Sequence, residues 1–333
     1  KTGQIEPGRT FFVSRHFRLQ PTGMKTTITR QEYHFVFLVA VGMLLITSLP
    51  YIFGYVVAPA GKQFMGLMQD VPDHGQYLAW WRSFQSDILV TNKLTPEPNQ
   101  PLFFNLLWFL LARFSKLTGT GYPLAYQILR IGGGLALMYT VYRLIAVFFE
   151  DIARRRAAFL MVALTSGFGW ILIVLKYTLA GGETLAPLLI FTAEPNYFLC
   201  LLGFPHFALA AAFICLVLEF IFRGWKEQST GRMAAAGGIA FVLGWMHAYD
   251  LLIIYGVTGA FFLLQWIIRR RFPLRFFWGS ALMAVISVAP AIYSYLLTSL
   301  DPLWEEVLSQ FANAGVYTPA PPLLFFLFGA PLF

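Results

Sequence analysis

The sequence contains few charged residues. Only 12% of its 333 residues are charged, about half of the roughly 25% found in soluble domains. Its two cysteines, Cys200 and Cys215, fall inside one apolar run, which excludes a disulfide framework. The patterns His-Glu-x-x-His, Gly-x-Ser-x-Gly and the Walker loop are also missing, and with them the usual signatures of zinc peptidases, α/β-hydrolases and P-loop enzymes.

Apolar and aromatic residues are what the chain has in abundance. Hydrophobic residues make up 58% of it and the mean hydropathy is +0.64, which excludes a disordered chain, a coiled coil and a soluble enzyme with one ordinary core. A membrane-spanning helix needs about 20 predominantly apolar residues. Five segments meet that length: Tyr33–Tyr55, Tyr122–Phe149, Ala157–Ala180, Tyr197–Phe222 and Phe276–Thr298. The sequence therefore predicts an all-α, polytopic integral membrane helical bundle.

Basic residues predict the orientation of these segments, because cytoplasmic loops are enriched in Lys and Arg. They form four groups, which are the N-terminal 30 residues, Arg154–Arg156, the residues Arg223, Lys226 and Arg232, and the residues Arg269, Arg270, Arg271 and Arg275. We expect all four groups, and the N-terminus, to be cytoplasmic. The net charge of +8 then belongs to loops that meet anionic lipid headgroups, and it does not indicate nucleic-acid binding.

Placing all four groups on one side limits the number of crossings. Pro101–Leu117 and Tyr122–Phe149 cannot then both span, and we expect the shorter segment to be a short or re-entrant helix on the outer side. In the alternative, Pro101–Leu117 spans the membrane and the basic group Arg154–Arg156 lies outside. Ala234–Ile268 has basic groups on both sides, so it should go out and back as two half-length helices that meet near Trp245–Asp250.

These expectations divide the chain into a basic cytoplasmic segment, residues 1–32, and a transmembrane domain, residues 33–333. Three loops of the transmembrane domain should face outside, at about 54–100, 181–196 and 299–321. The chain stops at Phe333 inside an apolar run. We therefore expect the native protein to continue beyond this residue.

The first outer loop contains the most informative stretch for chemistry. Asp70 and Asp73 lie beyond the first span. Aromatic residues follow them at helical spacing, namely Tyr77, Trp80, Trp81 and Phe84. This pattern predicts an amphipathic juxtamembrane helix that lies on the membrane surface. A carboxylate beside such a helix is a candidate general base, because partial burial raises its pKa.

Two further polar groups lie in or beside apolar segments. Glu194 precedes the span that contains His206, and Pro205 should kink that helix and free a carbonyl group. His247 and Asp250 are three residues apart, on one face of a helix. An ionisable side chain inside a membrane is a candidate functional residue. The alternative is a purely structural role, in which neighbouring helices provide the hydrogen bonds of the histidine or of the helix break.

Taken in order, these features resemble the membrane glycosyltransferases of the GT-C class, which take sugars from polyprenyl-phosphate carriers, in particular bacterial members of the dolichyl-phosphate-mannose-transferase type. Asp73-His74-Gly75-Gln76-Tyr77 is similar to the Asp-Glu-x-x-Tyr of their first outer loop, with His74 where Glu is common. Thr192–Tyr197 and then Phe204-Pro205-His206 are similar to their second outer motif. The break at His247–Asp250 looks like the His-Pro-Tyr of some bacterial members.

The resemblance implies a GT-C-like fold and sugar transfer at the outer face of a bacterial inner membrane. Asp73 would be the general base, with Asp70 as the second candidate. The other implied substrate-binding residues are Tyr77, Arg82, Lys93, Glu194, His206, His247 and Asp250. Where a divalent metal ion is used, its ligands would come from Asp70, Asp73 and Glu194. The implied partners are membrane lipids and the lipid-linked sugar donor.

Two other classes of function remain open at this stage. A polytopic protein with interfacial tryptophans and a broken helix is also typical of a non-enzymatic subunit or scaffold in a membrane complex. A helix broken at His247–Asp250 at membrane depth is also found at transporter substrate sites. Without a paired half-repeat in the sequence, the transporter is the weaker of the two alternatives.

Overall fold

A computed structural model describes residues 27–68, 70–164, 169–179, 181–182 and 196–313. These residues form twelve helices, joined by short connections. The helices are α1 (Arg30–Val56), α2 (Val71–Phe84), α3 (Leu106–Thr118), α4 (Tyr122–Phe148), α5 (Ile152–Leu164), α6 (Gly169–Thr178), α7 (Tyr197–Gly203), α8 (Pro205–Glu227), α9 (Thr230–Met246), α10 (Asp250–Arg269), α11 (Leu274–Leu300) and α12 (Pro302–Asn313). In this part of the chain, β pairing is limited to one isolated antiparallel bridge between Val90 and Phe103.

Five of these helices, α1, α4, α8, α10 and α11, are long and apolar enough to cross a membrane. Four of them correspond to segments that the sequence predicted as spans, and α10 is the return half of the predicted out-and-back segment. The prediction of an all-α polytopic membrane bundle is therefore confirmed. Helix α4 approaches α8 closely, because a Cβ on Gly133 would lie 3.2 Å from the carbonyl oxygen of Pro205.

The segment Ala157–Ala180, predicted as one span, is represented by α5 and α6, with residues 165–168 outside the described part of the chain. Helix α5 begins at Ile152, earlier than predicted, so Arg154–Arg156 lie in its first turns and not in a loop. Arg155 is buried there and forms an ion pair with Glu32 of α1 at 2.9 Å.

The predicted break in the segment Ala234–Ile268 is present, between α9 and α10. The expectation of half-length helices was wrong, since α9 has 17 residues and α10 has 20. At 1.5 Å per residue, each is close to a full membrane crossing. The side chains at the break therefore lie near one end of the bundle.

Helix α2 confirms the amphipathic helix predicted in the first outer loop. Its apolar face is covered by protein, because Trp80 and Phe84 are buried in one cluster with Trp108 and Leu111 of α3. The aromatic spacing predicts a helix on the membrane surface, because periodicity alone does not distinguish lipid from a packed helix as the covering element. Helix α3 has 13 residues, fewer than the about 20 that a span requires.

The predicted basic groups of the described residues lie at one end of the bundle. Besides the Arg155–Glu32 pair, Lys226 donates to the carbonyl of Val147 at the end of α4. Arg269 lies over the ring of Trp225, 5.0 Å from its centroid. The opposite end, which contains α2, α3 and both helix breaks, holds the candidate site.

Candidate functional site at two helix breaks

The first break separates α7 from α8 at Phe204. Pro205 has no N–H to donate to the carbonyl of Leu201, so the end of α7 needs other donors. Side chains supply them to three consecutive carbonyls. Arg130 donates to Leu201 (3.1 Å), Tyr51 to Leu202 (2.5 Å) and Tyr126 to Gly203 (2.6 Å). The carbonyl that the sequence predicted to be freed is thus bound by α4, and the break is a fixed structure.

The second break separates α9 from α10. The N–H of His247 still donates to Leu243 at 2.7 Å, and the N–H of Asp250 donates back to the carbonyl of His247 at 3.2 Å. A tight turn therefore places both side chains at the same level. His247 Nδ1 lies 3.3 Å from Asp250 Oδ2, which is an ion-pair distance, but the alignment is not that of a hydrogen bond.

The two breaks lie side by side. His206 is in the first turn of α8 and is 2% exposed, and its ring centroid is 5.7 Å from that of His247. Tyr77 of α2 completes the contact, since its hydroxyl is 3.4 Å from His206 Nε2. We refer to Tyr77, His206, His247 and Asp250 as the histidine row.

Helix α3 supports this row from one side. The ring of Trp108 stacks on Tyr77, with centroids 4.6 Å apart and planes 15° apart, and it also contacts His206 at 5.9 Å. Nδ1 of His206 is buried and has no hydrogen-bond partner among the described residues. The row therefore presents imidazole nitrogens and one carboxylate in an apolar setting, a combination that can bind phosphate or hydroxyl groups and pass a proton.

His74 lies against the row on the same helix as Tyr77. It is 1% exposed, and its Nε2 is 3.3 Å from the hydroxyl of Tyr126. Burial lowers the pKa of His74, although the carbonyl of Gly203 and the charge of Asp70 oppose this shift. The neutral imidazole is therefore the preferred form in the folded protein.

Asp70 and Asp73 lie at the start of α2. Asp70 is the residue before the helix and has a left-handed backbone, with φ of 51°. Partial desolvation raises the pKa of Asp73, and the nearby Asp70 carboxyl raises it further, although Asp73 as a residue is exposed to solvent. Asp73 is four residues, or about 6 Å along the helix axis, before Tyr77.

The structure brings together four of the residues predicted from the sequence, namely the members of the histidine row. Arg82 is exposed in the last turn of α2, and nine residues of helix turn it about 180° away from Asp73. Lys93 is exposed in the segment between α2 and α3. Among the described residues, neither Arg82 nor Lys93 forms a hydrogen bond or an ion pair with the histidine row. Glu194 lies outside the described residues.

Among the described residues, no group of three or more His, Cys, Asp or Glu side chains is arranged to hold a metal ion. Asp70 and Asp73 are therefore two carboxylates without a third ligand in this part of the chain.

Sequence reasoning missed several residues of the site. In the sequence, His74 is only a departure from a motif, and no pattern assigns a role to Trp108, Tyr126 or Arg130. The spacing of His74 and Tyr77, three residues apart, places them on one helix face and was the available signal. Trp108, Tyr126 and Arg130 gave no such signal, because their partners are far away in the chain.

Comparisons with protein-family models, with curated proteins and with solved structures gave no match to this chain.

Proposed function

We propose that this protein is a membrane glycosyltransferase that moves a sugar from a polyprenyl-phosphate carrier to an acceptor hydroxyl at the outer face of a cell membrane. The observation that carries the proposal is the exposed Asp73, whose pKa is raised, one helical turn before Tyr77, the member of the histidine row that contacts His206. A base with a raised pKa and a nearby set of hydrogen-bond donors are the two parts that such a reaction requires.

In this reaction Asp73 takes the proton of the acceptor hydroxyl while the acceptor oxygen forms a bond to the anomeric carbon. The bond from that carbon to the phosphate oxygen breaks, and the phosphate leaves with the electron pair. N–H groups of His206 and His247 are the donors for the leaving phosphate. Because the described residues of the row include no Lys or Arg, these donors act by direct hydrogen bonds in a site of low dielectric constant.

The test compares Asp73→Asn with a matched control, Asp87→Asn, in membranes supplied with a radiolabelled polyprenyl-phosphate sugar. Asp87 is an exposed carboxylate just beyond the end of α2. We expect Asp73→Asn to lower the transfer rate by about 10²–10⁴-fold, the usual contribution of a positioned base, and Asp87→Asn to leave it unchanged. Normal transfer by Asp73→Asn would refute the proposal.

Transport is the second candidate, and the observation that favours it is the pair of adjoining helix breaks. Broken helices that meet at one level are typical of transporter substrate sites. Uptake by the native protein and by His247→Ala in proteoliposomes, together with the transfer assay of Asp73→Asn, separates the two. Uptake into proteoliposomes that depends on His247, together with normal behaviour of Asp73→Asn, would favour a transporter. An effect of neither change would favour a non-enzymatic subunit of a membrane complex.

A further inference from the structure

The segment that leads into α3 crosses the break between α9 and α10. Tyr293 of α11 donates to the carbonyl of Leu102. The ring of Trp245, two residues before His247, contacts Phe104 at 5.5 Å and Tyr293 at 5.1 Å. This segment therefore packs directly on the chain that carries His247.

Asn105, the last residue before α3, makes two hydrogen bonds of different kinds. Its Oδ1 accepts from the N–H of Trp108 at 3.2 Å, which caps the N-terminus of α3. Its Nδ2 donates to the carbonyl of Met246 at 2.8 Å. A backbone N–H can only donate and a carbonyl can only accept, so these two partners fix the orientation of the amide.

The two partners of Asn105 belong to the two sides of the candidate site. Met246 is the last residue of α9, and its carbonyl belongs to the peptide unit that leads into His247. Trp108 stacks on Tyr77 and contacts His206. One amide therefore ties the position of His247 to the position of the Tyr77–His206 pair. Without Asn105, the carbonyl of Met246 would have no donor from its own helix, because the helix ends at this residue.

We propose that Asn105 is a positioning residue that holds His247 in place beside His206. Its role in transfer rests on the proposed function, whereas its role in fixing the break does not. Removing the donor to Met246 releases the turn at 247–249 and moves His247 relative to His206. A displacement of this kind lowers the rate of a reaction that depends on both rings.

Three substitutions separate positioning from helix capping. Asn105→Asp and Asn105→Ser keep an oxygen that caps α3 well, but they lose the amide donor to Met246, and the serine variant does so without adding charge. Asn105→Gln keeps an amide donor on a longer side chain and caps α3 less well. Asn99→Asp is the matched control, because Asn99 donates within the segment between α2 and α3, to Asn92 and Glu97.

The first measurement is hydrogen exchange of the full chain in lipid nanodiscs. We expect Asn105→Asp and Asn105→Ser to speed exchange at residues 245–251 by about tenfold or more, with little change at the start of α3. Asn105→Gln should remain closer to the native protein at 245–251. Asn99→Asp should exchange at the native rate in these residues. Unchanged exchange at 245–251 in the aspartate and serine variants, or exchange at 245–251 in Asn105→Gln that is as fast as in the serine variant, would overturn the proposal.

The second measurement is the kinetics of sugar transfer. Loss of positioning should lower kcat by about tenfold with little change in KM, since an interaction needed in the transition state is lost while substrate binding is kept. Partial rescue by Asn105→Gln should accompany this effect. A kcat that is native in Asn105→Asp and reduced in Asn105→Gln would mean that Asn105 serves only as a cap. If the native protein has no transferase activity, the proposed function fails, and the exchange experiment still decides the role of Asn105.

Discussion

At the scale of single residues, His74 shows how hydrogen bonding determines the state of a buried histidine. The hydroxyl of Tyr126 donates to the carbonyl of Gly203 at 2.6 Å, so its proton is already used. The 3.3 Å contact between Tyr126 and His74 Nε2 is then best made by an N–H of His74. Nδ1 has no hydrogen-bond partner among the described residues, which is the less costly situation for an acceptor nitrogen of a neutral ring.

His74 should make the stability of the protein sensitive to mild acid. Its pKa is lowered in the folded state by burial, so the neutral form contributes stability above the unfolded pKa of about 6.5, and that contribution is lost as the pH falls. His74→Gln keeps a side-chain N–H donor and does not titrate. We expect it to lose less thermal stability than the native protein between about pH 7.5 and pH 5.5.

The matched control for this pH experiment is His34→Gln, because His34 is exposed on α1. Its unfolding temperature should follow the native pH dependence. If His74→Gln and the native protein had parallel pH curves, the lowered pKa of His74 would be contradicted.

At the scale of elements, the end of α7 is stabilised by side chains of its neighbours. Seven residues are too few for a helix to be stable alone, and α7 has seven. Arg130 reaches its terminus and also donates to Thr47 and Ser48 of α1, at 3.2 and 2.7 Å. The carbonyl end of a helix carries partial negative charge. This arrangement accommodates a buried arginine for which the described residues provide no carboxylate within ion-pair distance.

Tyr126→Phe should destabilise the protein by about 1–3 kcal/mol, because it leaves the buried carbonyl of Gly203 and the N–H of His74 without this partner. Tyr122→Phe is the matched control one turn away on α4. Tyr122 is also buried, and its hydroxyl has no hydrogen-bond partner among the described residues. We expect its removal to cost little. Equal losses in unfolding free energy for the two variants would show that the hydroxyl of Tyr126 does not stabilise the break.

The elements also show what the sequence could and could not predict. Pro205 in an apolar run, and His247 with Asp250 in another, interrupt helices for local reasons. The sequence therefore predicted a kink at Pro205, where the structure has a full break, and a break near Trp245–Asp250. The contact between His206 and Tyr77 joins residues 129 positions apart, and the distant partners of Arg130 come from two other helices, α1 and α7. Local periodicity carries no information on such pairs. It also could not tell that the aromatic face of α2 is covered by protein.

At the scale of the whole molecule, the two ends of the bundle differ in chemistry. At one end, Glu32 is fully buried against Arg155, and Glu219 pairs with both Arg143 and Arg223, at 2.8 and 2.9 Å. A buried carboxylate requires such partners. The other end carries His74, His206 and His247 and the carboxylates Asp70, Asp73 and Asp250. The proposed reaction brings a lipid-linked donor and an acceptor, which is a lipid, a glycan or a protein, to this second end. Its position relative to the membrane therefore determines which substrates can reach it.

We expect the end with the histidine row to face outward, since the basic groups lie at the opposite end and favour the cytoplasm.

Both native cysteines are buried, so single cysteines can be introduced into the native chain. Two exposed positions suit this test, namely Lys62 in the α1–α2 connection and Arg271 in the α10–α11 turn. Replacing either residue by cysteine removes one positive charge. A membrane-impermeant maleimide applied to intact cells or spheroplasts should label Lys62→Cys. It should label Arg271→Cys only after the membrane is opened. The reverse pattern would place Asp73 and His206 on the cytoplasmic side, and the acceptor and donor would then have to be cytoplasmic. Labelling of both positions from outside would contradict the placement of the two ends of the bundle on opposite sides of the membrane.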